Sequence, residues 1–142
     1  MKSSNKITKK YVSSQIAENE KVFSKDDFCN KTGLSLYINE LMREKGLESA
    51  SEIYTRAGIS KQTWSHIYSG QYCPSPENAR KLTIGLKCTL SEAEKLLSYC
   101  GMSFVPGNDN DECFKYCIEN QIFRIVDVLI CMKDKGSLQI AA

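Results

Sequence analysis

A chain of 142 residues, 42% apolar and 25% charged, is long enough to bury one substantial core and too short for two sizeable domains. Its net charge of +2 excludes a dedicated non-specific nucleic-acid binder, which draws most of its affinity from phosphate neutralisation and is far more basic. No uninterrupted apolar run approaches the roughly 18 to 20 residues that cross a bilayer, so no membrane partner is expected.

Lys and Arg number seven against four acidic residues in 1–33, eight against seven in 34–101 and four against six in 102–142. The chain therefore runs from basic to acidic. Cysteines stand at 29, 73, 88, 100, 113, 117 and 131, odd in number and with no C-x-x-C spacing. Buried reduced thiols are expected rather than a disulfide framework. His66 is the only histidine, too few for a mixed Cys/His zinc site, and no metal or other cofactor is expected. The opening MKSSNKITKKYVSS has basic residues but no apolar stretch after them, unlike a secretory signal, and cytoplasm is the expected compartment.

Residues 1–33 read as a flexible polar arm, with a short helix over Ile16 to Phe23 as its one structured candidate. Lys2, Lys6, Lys9 and Lys10 make either a solvated tail or an arm for the minor groove. From Leu34 the spacing of Leu34, Tyr37, Ile38, Leu41 and Met42 predicts a first helix, stopped by Gly46. Ser49 followed three residues later by Glu52 is a capping box opening a second helix. Gly58 ends that helix, because the residue just past a helix end often takes a left-handed conformation that costs glycine little. Ser60 caps a third helix from Lys61 to about Ser69, stopped by Gly70, with Trp64, Ile67 and Tyr68 on one face. Trp64 reads as a core anchor. Lys61, Gln62, Ser65 and His66 are left on the opposite face.

Ser75 as cap, Pro76 at the first helical position and Glu77 beside the positive helix end open a fourth helix to about Leu86, burying Ala79, Leu82 and Leu86. Ser91 with Glu94 forms a second capping box for a fifth helix that buries Ala93, Leu96, Leu97 and Cys100 and closes at Gly101. Asp109-x-Asp111 is not a calcium loop, since Phe114 and Asn120 stand where a glycine and a bidentate glutamate are required. The acidic residues belong to the start of a sixth helix burying Cys113, Phe114, Cys117 and Ile118. From Ile122, IFRIVDVLICM is apolar at nearly every position, so it either fills the core or joins another chain, with Leu138 and Ile140 as further cover.

The run Ile53, Gly58-Ile59-Ser60, Trp64, Ile67, Gly70 and Pro74-Ser75, then Leu82 and the Leu96-Leu97 pair, resembles the lambda-repressor-like (XRE/Cro-type) helix-turn-helix family over about Leu34 to Gly101. More narrowly it is similar to small bacterial proteins with this domain and a two-helix C-terminal extension. The resemblance implies an all-α fold with a five-helix domain over 34–101, which leaves the arm over 1–33 before it and a helical extension over 102–142 after it, packing on the domain or mediating dimerisation. It implies a transcription regulator binding double-stranded DNA as a dimer. The third helix, about residues 60–69, would lie in the major groove, with Lys61, Gln62, Ser65 and His66 reading bases. Arg56, Ser60, Gln71, Tyr72 and Arg80 would hold phosphates. Tyr54 stands where the family places a small alanine, and Ala50 where it often has a phosphate-clamping glutamine. Glu48, Glu52 and Glu77 lie near the same face.

Two partners remain open: DNA, with a homodimer through residues 113–132, or a protein such as a toxin or defence protein, with the helix-turn-helix as an antitoxin-like or adaptor scaffold. Catalysis is not expected. There is no glycine-rich phosphate loop and no nucleophile elbow, and the nearest cysteine to the lone His66 is Cys73.

Overall fold

Asn30 opens the first helix: its Oδ1 accepts the Gly33 N–H at 2.9 Å, and the chain continues as α1, Lys31–Lys45. The computed structural model describes residues 29–141, with side chains through Lys135. The expected Ile16–Phe23 helix and the lysines at 2, 6, 9 and 10 fall outside the described residues, as do the side chains of Leu138 and Ile140. α1 starts three residues ahead of the Leu34 expected from periodicity because an asparagine cap precedes the apolar stripe. It is followed by α2 (Ala50–Ala57), α3 (Lys61–Tyr68), α4 (Pro76–Gly85), α5 (Leu90–Tyr99), α6 (Asp109–Glu119) and α7 (Ile125–Ala141). The fold is all-α, and among the described residues there is no strand.

α4 is the central helix. It packs against α2, α5, α6 and α7, while α1 packs against α3 and α5. Leu34, Ile38, Leu41, Ile53, Ile67, Leu82, Ile84, Leu86, Leu96 and Leu97 are fully buried in one continuous core that Phe114, Ile118 and Val128 extend. The start of α1 is tied to the end of α5 through the Asn30 N–H, which donates to the Tyr99 carbonyl at 2.7 Å.

Two expectations are corrected. The capping box of α5 is Thr89 with Glu92, not Ser91 with Glu94: Thr89 Oγ1 accepts the Glu92 N–H at 3.2 Å and Glu92 Oε1 accepts the Thr89 N–H at 2.9 Å. Both pairs satisfy the spacing rule, and the earlier start brings Leu90 onto the core while Ala93, Leu96 and Leu97 stay buried. The thiols are also not all reduced, for Cys29 and Cys73 form a disulfide with Cα atoms 6.3 Å apart. The packing of α1 on α3 brings the residue before one helix beside the loop after the other, a proximity that 44 residues of separation conceal in the sequence.

The apolar run from Ile122 is divided. Val128 is buried, and Ile122, Phe123, Ile125, Cys131 and Met132 pack against the core, whereas Val126, Leu129 and Ile130 remain 46%, 50% and 51% exposed. No helix among the described residues is long and apolar enough to cross a membrane.

Candidate nucleic-acid interface

The turn between α2 and α3 is three residues, Gly58-Ile59-Ser60. Gly58 sits at φ 74°, left-handed, and its N–H donates to the Thr55 carbonyl at 3.1 Å while that of Ile59 reaches Tyr54 at 3.0 Å. Two last-turn carbonyls are thereby satisfied. Ile59 turns into the core and Ser60 caps α3, its Oγ accepting the Thr63 N–H at 3.0 Å. α7 closes over this turn: a Cβ added to Gly58 would lie 2.7 Å from Ile125 Cγ2.

α3 is oriented by what it buries. Trp64 and Ile67 lie in the core, and the Trp64 ring stacks on Tyr68 at 5.4 Å, whose hydroxyl donates to Asn39 Oδ1 at 3.1 Å. Burial of one face obliges the other outward, and Lys61, Gln62 and Ser65 are exposed there, with side chains making no hydrogen bond or ion pair to any described residue. His66 is half-buried, its ring edge-on to Tyr72 at 5.2 Å. The base-reading set expected from the sequence is thus brought together on one helix, with His66 partly held by the next loop.

The expected phosphate contacts divide differently. Gln71 and Tyr72 are exposed on the loop after α3, which Cys73 anchors through its disulfide. Ser60 is engaged in its cap and also donates to Thr63 Oγ1 at 2.9 Å. Arg56 turns toward the domain, its Nε and Nη2 donating to the Gly85 carbonyl at 3.1 and 2.9 Å. Arg80 forks onto the buried Asp111 carboxylate and also donates to the Pro76 and Ser103 carbonyls, at 3.1 and 2.9 Å. Both arginines that the resemblance implied for phosphate are half-buried and donate to groups of the domain itself.

Burial pushes the Asp111 carboxyl up, but the Arg80 hydrogen bonds, the Val105 N–H at 2.7 Å and the charges of Arg80 and Lys115 outweigh it, leaving its pKa below the ordinary value. Residues 1–28 hold six lysines against four acidic residues, so 29–142 carry thirteen of each sign and no net charge. Periodicity could not reveal the Cys29–Cys73 bond, the Arg80–Asp111 pair or the seat of Ile125 on Gly58, since each joins segments far apart in the chain. The chain matches no family model, no curated protein and no solved structure.

Proposed function

We propose that this chain is a DNA-binding regulator of the lambda-repressor-like class, with α3 entering the major groove. The observation that carries the reading is the bare outward face of α3, directly after a three-residue turn, on a helix whose other side is fastened by Trp64 and Ile67. Gln62 has the donor and acceptor to pair with adenine, and Lys61 a donor for guanine O6 or N7. Ser65 and the edge of His66 extend the reading surface, and Gln71 and Tyr72 on the next loop are the phosphate contacts. Arg56, Ser60 and Arg80 hold the surface in place rather than touching the backbone of the nucleic acid. A homodimer through residues 113–132 would use the exposed Val126, Leu129 and Ile130.

A second reading, a protein-interaction module, draws on that same apolar stripe and on the zero net charge of residues 29–142. Titration of fluorescent genomic duplexes at several salt concentrations separates the two. The regulator reading expects saturable binding and a loss of at least tenfold in Lys61→Ala with Gln62→Ala, with discrimination relaxed at the base pairs those side chains read. Absence of binding at low salt, or indifference to both substitutions, defeats it and leaves the interaction module.

A further inference from the structure

The closest approach of free sulfurs in the described residues is between α6 and α7. Cys113 Sγ on α6 and Cys131 Sγ on α7 are 2.7 Å apart, against about 2.05 Å for a formed bond. We propose that Cys113 and Cys131 are a peroxide-sensitive dithiol whose oxidation staples α6 to α7. The two thiols differ in access. Cys113 is fully buried, while Cys131 is half-exposed and lines a surface groove with Glu112, Lys115, Tyr116, Glu119 and Lys135. A small hydroperoxide can reach the second sulfur and not the first. Cys88 and Cys100, buried alone in the core and pushed up to about 12 and about 11 mainly by burial, have no such partner.

The chemistry balances with hydrogen peroxide as the oxidant. The Cys131 sulfur, losing its proton, attacks one peroxide oxygen; the O–O bond breaks and hydroxide leaves, taking up that proton as water and giving the sulfenic acid. Cys113 Sγ then attacks the sulfenyl sulfur, the S–O bond breaks, and hydroxide departs with the Cys113 proton as a second water. Two thiols have lost two electrons and two protons, and the peroxide has become two waters. Burial, with the Cys131 contact next, pushes Cys113 up to about 12, so it is not the thiol that meets peroxide first, and it gives up its proton only as it closes on the adjacent sulfenyl sulfur. The bond would fix α7, which carries the exposed Val126, Leu129 and Ile130 and seats Ile125 on the Gly58 turn. Oxidation would thereby reach both the apolar stripe and the turn before α3, whatever α3 binds.

The full chain, reduced and freed of reductant, is exposed to hydrogen peroxide; remaining thiols are alkylated in denaturant and the digest is mapped by mass spectrometry. Trypsin cleavage at Lys95, Lys115 and Arg124 places Cys113, Cys117 and Cys131 on three different peptides; Cys113 shares its peptide with Cys100, and a chymotryptic cut after Phe104 separates those two, so the partner of each is read directly. The expected product joins Cys113 to Cys131, reverts with dithiothreitol, forms equally in Cys117→Ser, and slows amide exchange across residues 125–135 at least tenfold relative to peroxide-treated Cys131→Ser, in which the Cys29–Cys73 bond re-forms without it. In Cys113→Ser, Cys131 is expected to stop at the sulfenic acid and be trapped by dimedone; should that variant not fold, the wild-type and Cys117→Ser maps decide alone. A bond from Cys131 to Cys117, over-oxidation of Cys131 while Cys113 remains alkylatable, or a 113–131 bond with unchanged exchange in α7 would overturn the proposal.

Discussion

At the scale of single residues, Asp111 stands out as the one buried charged residue among those described. It stands three residues past the Asn108 cap of α6, beside the positive end of that helix, and it accepts from Arg80 on α4 and from the Val105 N–H of the intervening loop. One carboxylate therefore ties three segments. Asp111→Asn keeps the shape and one acceptor oxygen but removes the charge, leaving the half-buried Arg80 guanidinium without its counter-ion while the Pro76 and Ser103 carbonyls, Met102 Sδ and the Phe104 ring stay beside it. Breaking one side of a buried pair costs about 3 to 5 kcal/mol, and the two surviving carbonyl bonds place the expected loss near 3 kcal/mol in urea unfolding at pH 7. The pH dependence has a definite sign. Because the folded pKa lies below the unfolded value of about 3.9, the stabilisation is present above that pH and is lost as pH falls through the folded pKa. Wild-type stability should fall in that acid window, and the variant's curve should be flatter there, with Glu92, also lowered, supplying the remaining slope. An equally steep curve in Asp111→Asn would remove the pair from the account of acid sensitivity. None of this is written in the local sequence: Arg80 reads as a free cation on a helix until the fold brings in a carboxylate 31 residues away.

At the scale of elements, helix interiors were legible and helix ends only partly. The apolar positions expected for the first six helices are buried almost as read, because periodicity reports which face a helix must hide. Gly46, Gly58 and Gly101 mark ends through their left-handed backbones, but α4 and α6 are followed by Lys87 at φ 53° and Gln121 at φ 59°, where no glycine gives warning. The face of α3 was legible for the same reason as its core side. What could not be read is how closely helices approach. Gly85, near the end of α4, lies so near α2 that an added Cβ would stand 2.5 Å from the Ile53 carbonyl oxygen and 2.8 Å from Ala57 Cβ. In an isolated helix Gly→Ala gains about 1 kcal/mol. Here the obstacle is backbone, which cannot rotate aside, and overpacking of this kind costs about 1 to 3 kcal/mol. Gly85→Ala is accordingly expected to destabilise by about 1 to 2 kcal/mol, with faster amide exchange in α2 than in α6. A rise in the unfolding midpoint would show that propensity outweighs the contact.

For the whole molecule, the Cys29–Cys73 bond is the longest-range covalent constraint, and it encloses α1, α2 and α3. Cys29 immediately precedes the Asn30 cap, and Cys73 follows the Gln71-Tyr72 pair on the loop after α3, so the bond holds the start of the fold against the edge of the proposed DNA surface. Closing a loop with 44 residues of separation removes unfolded-state entropy corresponding to about 4 kcal/mol at most. That is a large part of the roughly 5 to 15 kcal/mol by which folded domains exceed their unfolded states. Cys73→Ser should lower stability by about 2 to 4 kcal/mol without reductant, and dithiothreitol should lower the wild type by a similar amount while leaving the variant unchanged. The comparison separates the bond from the packing of Cys73, which is itself buried: a packing loss persists in reductant, whereas a cross-link loss disappears once both proteins are reduced. The same reduction bears on the α3 surface. If the bond positions Gln71 and Tyr72, reduced wild type and Cys73→Ser should weaken duplex binding alike, with the salt slope unchanged because neither residue is charged. A binding constant indifferent to dithiothreitol would confine the bond to stability and leave the orientation of that loop to Pro74, buried beside it.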